Sequence, residues 1–343
     1  MAKALPTRSA SKSSTAQTDA RLGRLVKLLT AHATVVVSGT KIAEELRVSR
    51  SEVWRLVQQL RNIGVEIAGH PATGYQLEAV PDLLLPDMLL PSLRGTIFSA
   101  VTHYYKIGST NDVAMEAAAK DAPEGSVFLA EQQTAGRGRG AHEWHSAQSA
   151  GIYCSVVLRP ILPPSEILIL SLAAGLAIYD AIQEVDSRVV PDLKWPNDLL
   201  INGKKFCGIL TEMNAEATRV RYIVVGVGLN ANQSSFPSEL QSAATSLRLA
   251  TGTEWSRIEL CAALLKSLDR EYRSLIEEPG ARGSILRRFQ ERSSMAHSKR
   301  VQIIEESGGV EGVTEGLDDR GFLNVRTSNG LQTILSGSVK TIE

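Results

Sequence analysis

Between Glu131 and Trp144 the chain reads EQQTAGRGRGAHEW, with Arg137 and Arg139 set among Gly136, Gly138 and Gly140. The stretch follows the apolar run from Ser126 to Ala130, so it reads as a strand emptying into a flexible, cationic loop. Glycine lets a backbone approach a ligand closely, and arginine presents a rigid fork of donors suited to carboxylate or phosphate. Taken alone, the pattern fits either a soluble surface turn or a loop that folds over an anionic small molecule.

Three further stretches carry residues able to do chemistry. Ser109, Thr110 and Asn111 stand just before a helical pattern, where they can cap the helix or join its free amides in holding a ligand. In LKWPND, residues 193–198, Lys194 ends a strand beside a proline turn, and Trp195, Pro196, Asn197 and Asp198 suggest a shaped pocket wall. VVGVGLNAN, residues 224–232, resembles half of a dinucleotide fingerprint. It lacks the third glycine and an acidic ribose ligand, and no phosphate-binding GxxxxGK[ST] loop exists, which disfavours both nucleotide folds. No Ser–His or Cys–His pair offers a covalent nucleophile. Cys154, Cys207 and Cys261 have neither disulfide-framework nor zinc spacing, as expected of a reducing cytosol. His142 and His145 lack a second ligand pair, so no metal cage is expected.

These residues need a scaffold. A length of 343 residues allows two or three domains, and 43% hydrophobic with 22% charged residues is an ordinary globular composition. Lys plus Arg and Asp plus Glu both number 37, so net charge points to neither nucleic acid nor membrane, although local asymmetry can still do so. No stretch is apolar enough, free of charge and proline, to span a membrane, and a cytoplasmic location is expected. Residues 1–19, basic and rich in Ser and Thr, read as a disordered tail. Over 20–79 the pattern predicts a winged helix-turn-helix. Thr40 caps one short helix, and Ser49 or Ser51 caps a second with Val53, Leu56, Val57 and Leu60 inward. Arg50, Ser51, Trp54, Arg55 and Gln58 face solvent, and the first four are the expected DNA-binding residues; a hairpin wing follows from Val65. Residues 80–96 form an apolar, proline-punctuated connection. Residues 97–293 form the chemical domain, with a core helix from Ile167 to Val185 and a hairpin turn at Asn202–Gly203. Short alternating strands over 294–343 predict a small SH3-like barrel.

AEQQTAGRGRG, LKWPND, KKFCGILTE and VVGVGLNAN, in this order, resemble the biotin–protein ligases, and the preceding winged helix resembles that of members that also repress biotin operons. The resemblance implies an α+β (mixed) chain whose central class II synthetase-like α/β domain is shared with lipoate ligases. It implies formation of biotinyl-5′-AMP from biotin and ATP, with Mg²⁺ carried by ATP, then transfer to a lysine of a biotin carboxyl carrier protein. By the same resemblance Ser109, Thr110, Asn111, Gln133, Arg137, Gly138, Arg139 and Lys194 contact biotin. Arg139, Trp144, Asn197 and Asn230 contact ATP or the adenylate, and Lys194 and Arg139 are catalytic. Operator DNA and a homodimer in the adenylate-bound state are the implied partners. A lipoate-attaching enzyme and a DNA-binding biotin sensor without transfer activity are the alternatives. The family commonly follows GRGR with a basic residue, where Gly140 and Ala141 stand here.

Overall fold

The computed structural model describes residues 21–342 apart from 33–34, 71–72, 80–81 and 306–307, so the expected tail and the wing tip at Pro71–Ala72 lie outside the described residues. The amino-terminal part opens with helix α1 (21–31), followed by α2 (Gly39–Leu46) and α3 (Arg50–Asn62). Ser38, not Thr40, caps α2. Its backbone takes the extended conformation an N-cap needs, and its hydroxyl accepts from the Lys41 amide at 3.1 Å. Ser49 caps α3 by accepting from the Glu52 amide. Gly64, at φ +91°, turns the chain out of α3 into the hairpin β1 (Ile67–His70) and β2 (Gly74–Leu77). Leu25, Ile42, Leu46, Val53, Leu56 and Leu60 form the core of this unit.

The connection is stitched into both of its neighbours. Leu83 and Leu85 pack into the winged-helix core, while Leu84 between them belongs to the core of the central domain. A short helix α4 (Pro86–Leu89) then leads to the first strand of the central sheet.

That sheet has seven strands, in the order β3 (Ala100–Tyr104), β4 (Ser126–Ala130), β5 (Gly151–Leu158), β9 (Val220–Asn230), β8 (Lys204–Ala215), β7 (Asp198–Ile201) and β6 (Asp192–Lys194). Only β3 and β4 pair in parallel, and their crossover is helix α5 (Thr110–Ala119). Helix α5 covers one face through Ala114 and Ala118 against Phe128, Val157 and Val224. The other face is covered by α6 (Leu168–Val185), α8 (Arg257–Glu277) and α9 (Ala281–Glu291), with α7 (Leu247–Thr251) beside them. Helix α6 is long and apolar enough to cross a membrane, but most of it is packed inside the protein. The β7–β8 turn carries Asn202 and Gly203, both at positive φ, as a type I′ hairpin requires.

Five antiparallel strands end the chain: β10 (His297–Glu305), β11 (Gly308–Leu317), β12 (Leu323–Thr327), β13 (Gly330–Ile334) and β14 (Ser338–Thr341). Trp195, expected in a pocket wall, instead fixes this small barrel to the sheet. The Trp195–Pro196 peptide is cis, and the buried indole donates to the Gly321 carbonyl at 2.9 Å. All three cysteines are buried, and burial pushes each thiol well above its ordinary value.

Candidate active site

The floor of the site is built from glycine. On β8 and β9, Gly208 pairs with Gly228 and Leu210 with Gly226, so three glycines share one face of the sheet. A side chain at Gly226 would meet the Asn111 amide oxygen at 2.0 Å, and one at Gly228 would meet the Trp144 indole at 2.6 Å. The pattern that resembled half of a dinucleotide fingerprint is therefore a bare patch of sheet on which an amide and a flat ring lie.

The start of α5 forms one wall. Ser109, Thr110 and Asn111 are all buried, and Ser109 makes no capping hydrogen bond with its side chain. The Thr110 amide donates instead to Oε1 of Gln133 at 2.8 Å, and the Thr110 hydroxyl lies 3.1 Å from the same oxygen. The Asn111 amide nitrogen donates to Glu212 at 2.9 Å and its oxygen accepts from Ser155 at 2.6 Å. A polar cluster held in place on every side is suited to recognising uncharged donors and acceptors of a ligand.

The Gly–Arg loop forms the opposite wall. Its strands are loosely laced by Gly138 N–H to the His142 carbonyl and Trp144 N–H to the Gly136 carbonyl. Arg137 is clamped by two carboxylates, at 2.6 Å from Asp112 and 2.9 Å from Glu212. Arg139 points inward and donates to Asn197 at 3.3 Å; burial lowers its pKa, opposed by Asp198, yet a guanidinium stays charged at neutral pH. Gly140, at φ +60°, sits in the left-handed region, and a side chain there would meet only the His142 ring, at an ordinary 3.9 Å, so its backbone and not a close contact calls for glycine. Lys205 lies 2.7 Å from Asp198 and 5.3 Å from the centre of the Trp144 ring, and the Trp144 N–H is buried without a partner.

Ser109, Thr110, Asn111, Gln133, Arg137, Gly138, Arg139, Trp144 and Asn197 thus line one narrow cleft together with Lys205, Gly208, Gly226 and Gly228. Lys194 and Asn230 do not line it. Lys194, at the end of β6, is half-buried with Asp192, Asp198, Lys205 and Lys340 around it, and burial lowers its pKa from the ordinary lysine value. No described residue hydrogen-bonds its ammonium. Asn230 donates to the Thr245 carbonyl at 3.1 Å and accepts from Gln233 at 2.9 Å. Arg50, Ser51, Trp54 and Arg55 lie exposed along α3, but Arg55 is held by Glu52 at 2.6 Å and is not a free cation.

Asp112, Ser155, Lys205 and Glu212 were not legible as site residues. Sheet register places Ser155, Lys205 and Glu212 and the first turn of α5 places Asp112, and the signal in the sequence was alternation: Gly226 and Gly228 of β9 opposite Leu210 and Gly208.

In charge terms the cleft balances three cations, Arg137, Arg139 and Lys205, with three carboxylates, Asp112, Asp198 and Glu212. An anionic ligand has to take the cations from their present partners. A cleft of this kind, a polar helix start and a cationic loop over a glycine floor, offers an anionic ligand hydrogen-bond partners at one end and positive charge at the other.

Comparison with known proteins agrees. The biotin/lipoate A/B protein ligase family matches residues 104–230, an HTH domain 21–76, and the biotin protein ligase C-terminal domain 298–340. The chain is 34% identical to the bifunctional ligase/repressor BirA of Bacillus subtilis over 92% of its own length and 97% of that protein's. It is 33% identical to the biotin–[acetyl-CoA-carboxylase] ligase of Mycobacterium tuberculosis over 75% of its length and 97% of that protein's. A biotin protein ligase from Aquifex aeolicus, solved in complex with biotin and ATP, superposes with a TM-score of 0.61 at 28% identity, covering 71% of this chain and 99% of that one. The chain belongs to the bifunctional ligase/repressor family of biotin–protein ligases.

Proposed function

We propose that the cleft condenses biotin with ATP and that its walls divide the work. The buried Ser109–Thr110–Asn111 start, backed by Gln133 and Ser155, takes the biotin end, where a neutral, hydrogen-bonding ring has to be read. The Trp144 indole over Gly228, with Lys205 beside it, takes the nucleotide end. In the first step a biotin carboxylate oxygen bonds to the α-phosphorus of ATP, the bond to the β-phosphate oxygen breaks, and pyrophosphate leaves. In the second, a carrier lysine amine attacks the acyl carbon, AMP leaves with the bonding pair, and the amine loses a proton.

Two anions meet in the first step, so fixed positive charge lowers the barrier. Arg139 is already inside the cleft, and Arg137 is released from Asp112 and Glu212 as the loop closes on ligand. Lys194, with no described hydrogen-bond partner, supplies its ammonium when the loop and barrel close around ATP. Mg²⁺ bound to ATP would offset part of the phosphate charge. The mixed anhydride hydrolyses readily, so the loop also has to exclude water until the carrier arrives.

The observation that carries this reading is the meeting, in one cleft, of a buried polar helix start, two loop arginines and a glycine floor. Incubation with biotin, Mg-ATP and a biotin carboxyl carrier domain is expected to label the carrier; lipoate transfer without biotin transfer would overturn it. Arg139→Gly is expected to release biotinyl-AMP and label bystander lysines, and retention of the intermediate as tight as in the wild type would refute the role of the loop. The helix-turn-helix binds operator DNA through the outward side of α3, in a cytoplasmic setting. Dimerisation follows adenylate binding: β8 beyond Ile209 pairs only with β9, leaving an outer strand edge a few residues from the Glu212 that clamps the loop.

A further inference from the structure

Outside the cleft, the bulkiest fully buried side chain among the described residues is a charged one. Arg257, at the start of α8, is 0% exposed. Its guanidinium donates to Asp82 at 2.9 Å, to Glu131 at 2.8 Å and to the Gly151 carbonyl at 3.1 Å. Glu131 is also 0% exposed, and its second oxygen accepts from the Leu84 amide at 2.9 Å and lies 3.0 Å from His103 Nε2. Burial raises a carboxyl, but here the Arg257 charge, His103 and the Leu84 amide overcome it and hold Glu131 well below its ordinary value.

Glu131 stands two residues before Gln133, whose side chain holds the start of α5. Its partners on the other side are the connection, through Leu84, and through Arg257 also Asp82. Its carbonyl accepts from the Ser149 amide at 2.9 Å. Ser149 and Gln148 in turn donate to the carbonyls of Ile63 and Asn62, at the end of α3. Two of the contacts that join the DNA-binding unit to the biotin side of the cleft thus pass through Glu131; beside them Tyr105, just after β3, packs into the winged-helix core. Elsewhere α1 and the edge strand β3 are separated by a groove of about 650 Å³.

We infer that Glu131 and Arg257 are positioning residues for biotin: the buried pair sets the Gln133 side chain against the start of α5, and the connection and the end of α3 bear on that setting. The inference rests on the ligase reading. Occupation of the cleft by biotin then stiffens the contacts of α3, and by linkage a shift of α3 alters biotin affinity.

The test uses the full chain with two variants, Asp82→Asn and the double change Glu131→Gln with Arg257→Met, which removes both buried charges together. Two quantities are followed: the biotin dependence of carrier labelling, and amide exchange over residues 50–64 with and without biotin. The double variant is expected to raise KM for biotin by about tenfold with kcat nearly unchanged, and to lose the protection that biotin confers on the end of α3. Asp82→Asn is expected to raise KM less, and it decides the matter if the double variant does not fold. Unchanged KM in the folded variants, or a fall in kcat at constant KM as from a smaller active fraction, overturns the inference. If the wild-type chain labels no carrier, the ligase reading falls and takes this inference with it.

Discussion

At the scale of single residues, the cleft combines atoms that a substitution can test one by one. A methyl group at Gly226 would fall on the Asn111 amide oxygen, and Asn111 cannot yield without losing Ser155 and Glu212. Gly226→Ala is therefore expected to cost about 1–3 kcal/mol of stability as overpacking, and labelling activity should fall about 100-fold from the displaced amide. Thermal unfolding and carrier labelling measure the two effects. Lys194 gives a pH prediction. Burial favours its neutral form, so its proton leaves below the ordinary lysine value of 10.5. The charge that opposes the anions is then lost as pH rises, and kcat/KM should fall along an alkaline limb. Lys194→Arg keeps its charge, so the limb should move to higher pH whatever the height of the plateau. The Gly–Arg loop and the Ser109–Asn111 start were legible because short, unusual residue runs carry them. Lys205 and Glu212 were not, because a strand register decides which residue of KKFCGILTE faces Trp144.

At the scale of elements, period and capping reveal helices and hairpins, and α6 and the Asn202–Gly203 turn follow from the sequence as read. The cap of α2 moved from Thr40 to Ser38, two residues apart, because both types can cap and the backbone at Ser38 takes the extended conformation that decides between them. On α3 the paired Arg55 leaves Arg50 as the freer cation. Arg50→Ala should lower the salt slope of DNA binding by about one, and Arg55→Ala by less; band shifts over a range of salt concentrations distinguish the two. The start of α8 carries an acid prediction. Glu131 has a folded pKa below its ordinary 4.5, so its contribution is present in full above that value and is lost as pH falls through the lowered one. Removing both buried charges, in the Glu131→Gln and Arg257→Met double variant, should flatten that part of the acid-unfolding curve, read by circular dichroism.

At the scale of the whole molecule, the order of strands was not readable. Strand β5 lies beside β9, with three strands and α6 intervening in sequence, and no local pattern announces such a partner. The connection, legible only as apolar and proline-punctuated, packs on both of the domains it joins. The free edge of β8 bears on assembly: Met213, exposed there, replaced by Asp should weaken ligand-linked dimerisation in sedimentation while carrier labelling persists.

The three buried thiols have a practical consequence. With each pushed toward its protonated form and closed off from reagents, the folded protein should be silent to alkylating probes. His142, exposed at the rim of the Gly–Arg loop, can then be replaced by a lone reactive cysteine with no native thiol removed. A fluorophore at that single point would report the loop closing in real time, and separate the moment the lid shuts from the moment pyrophosphate leaves.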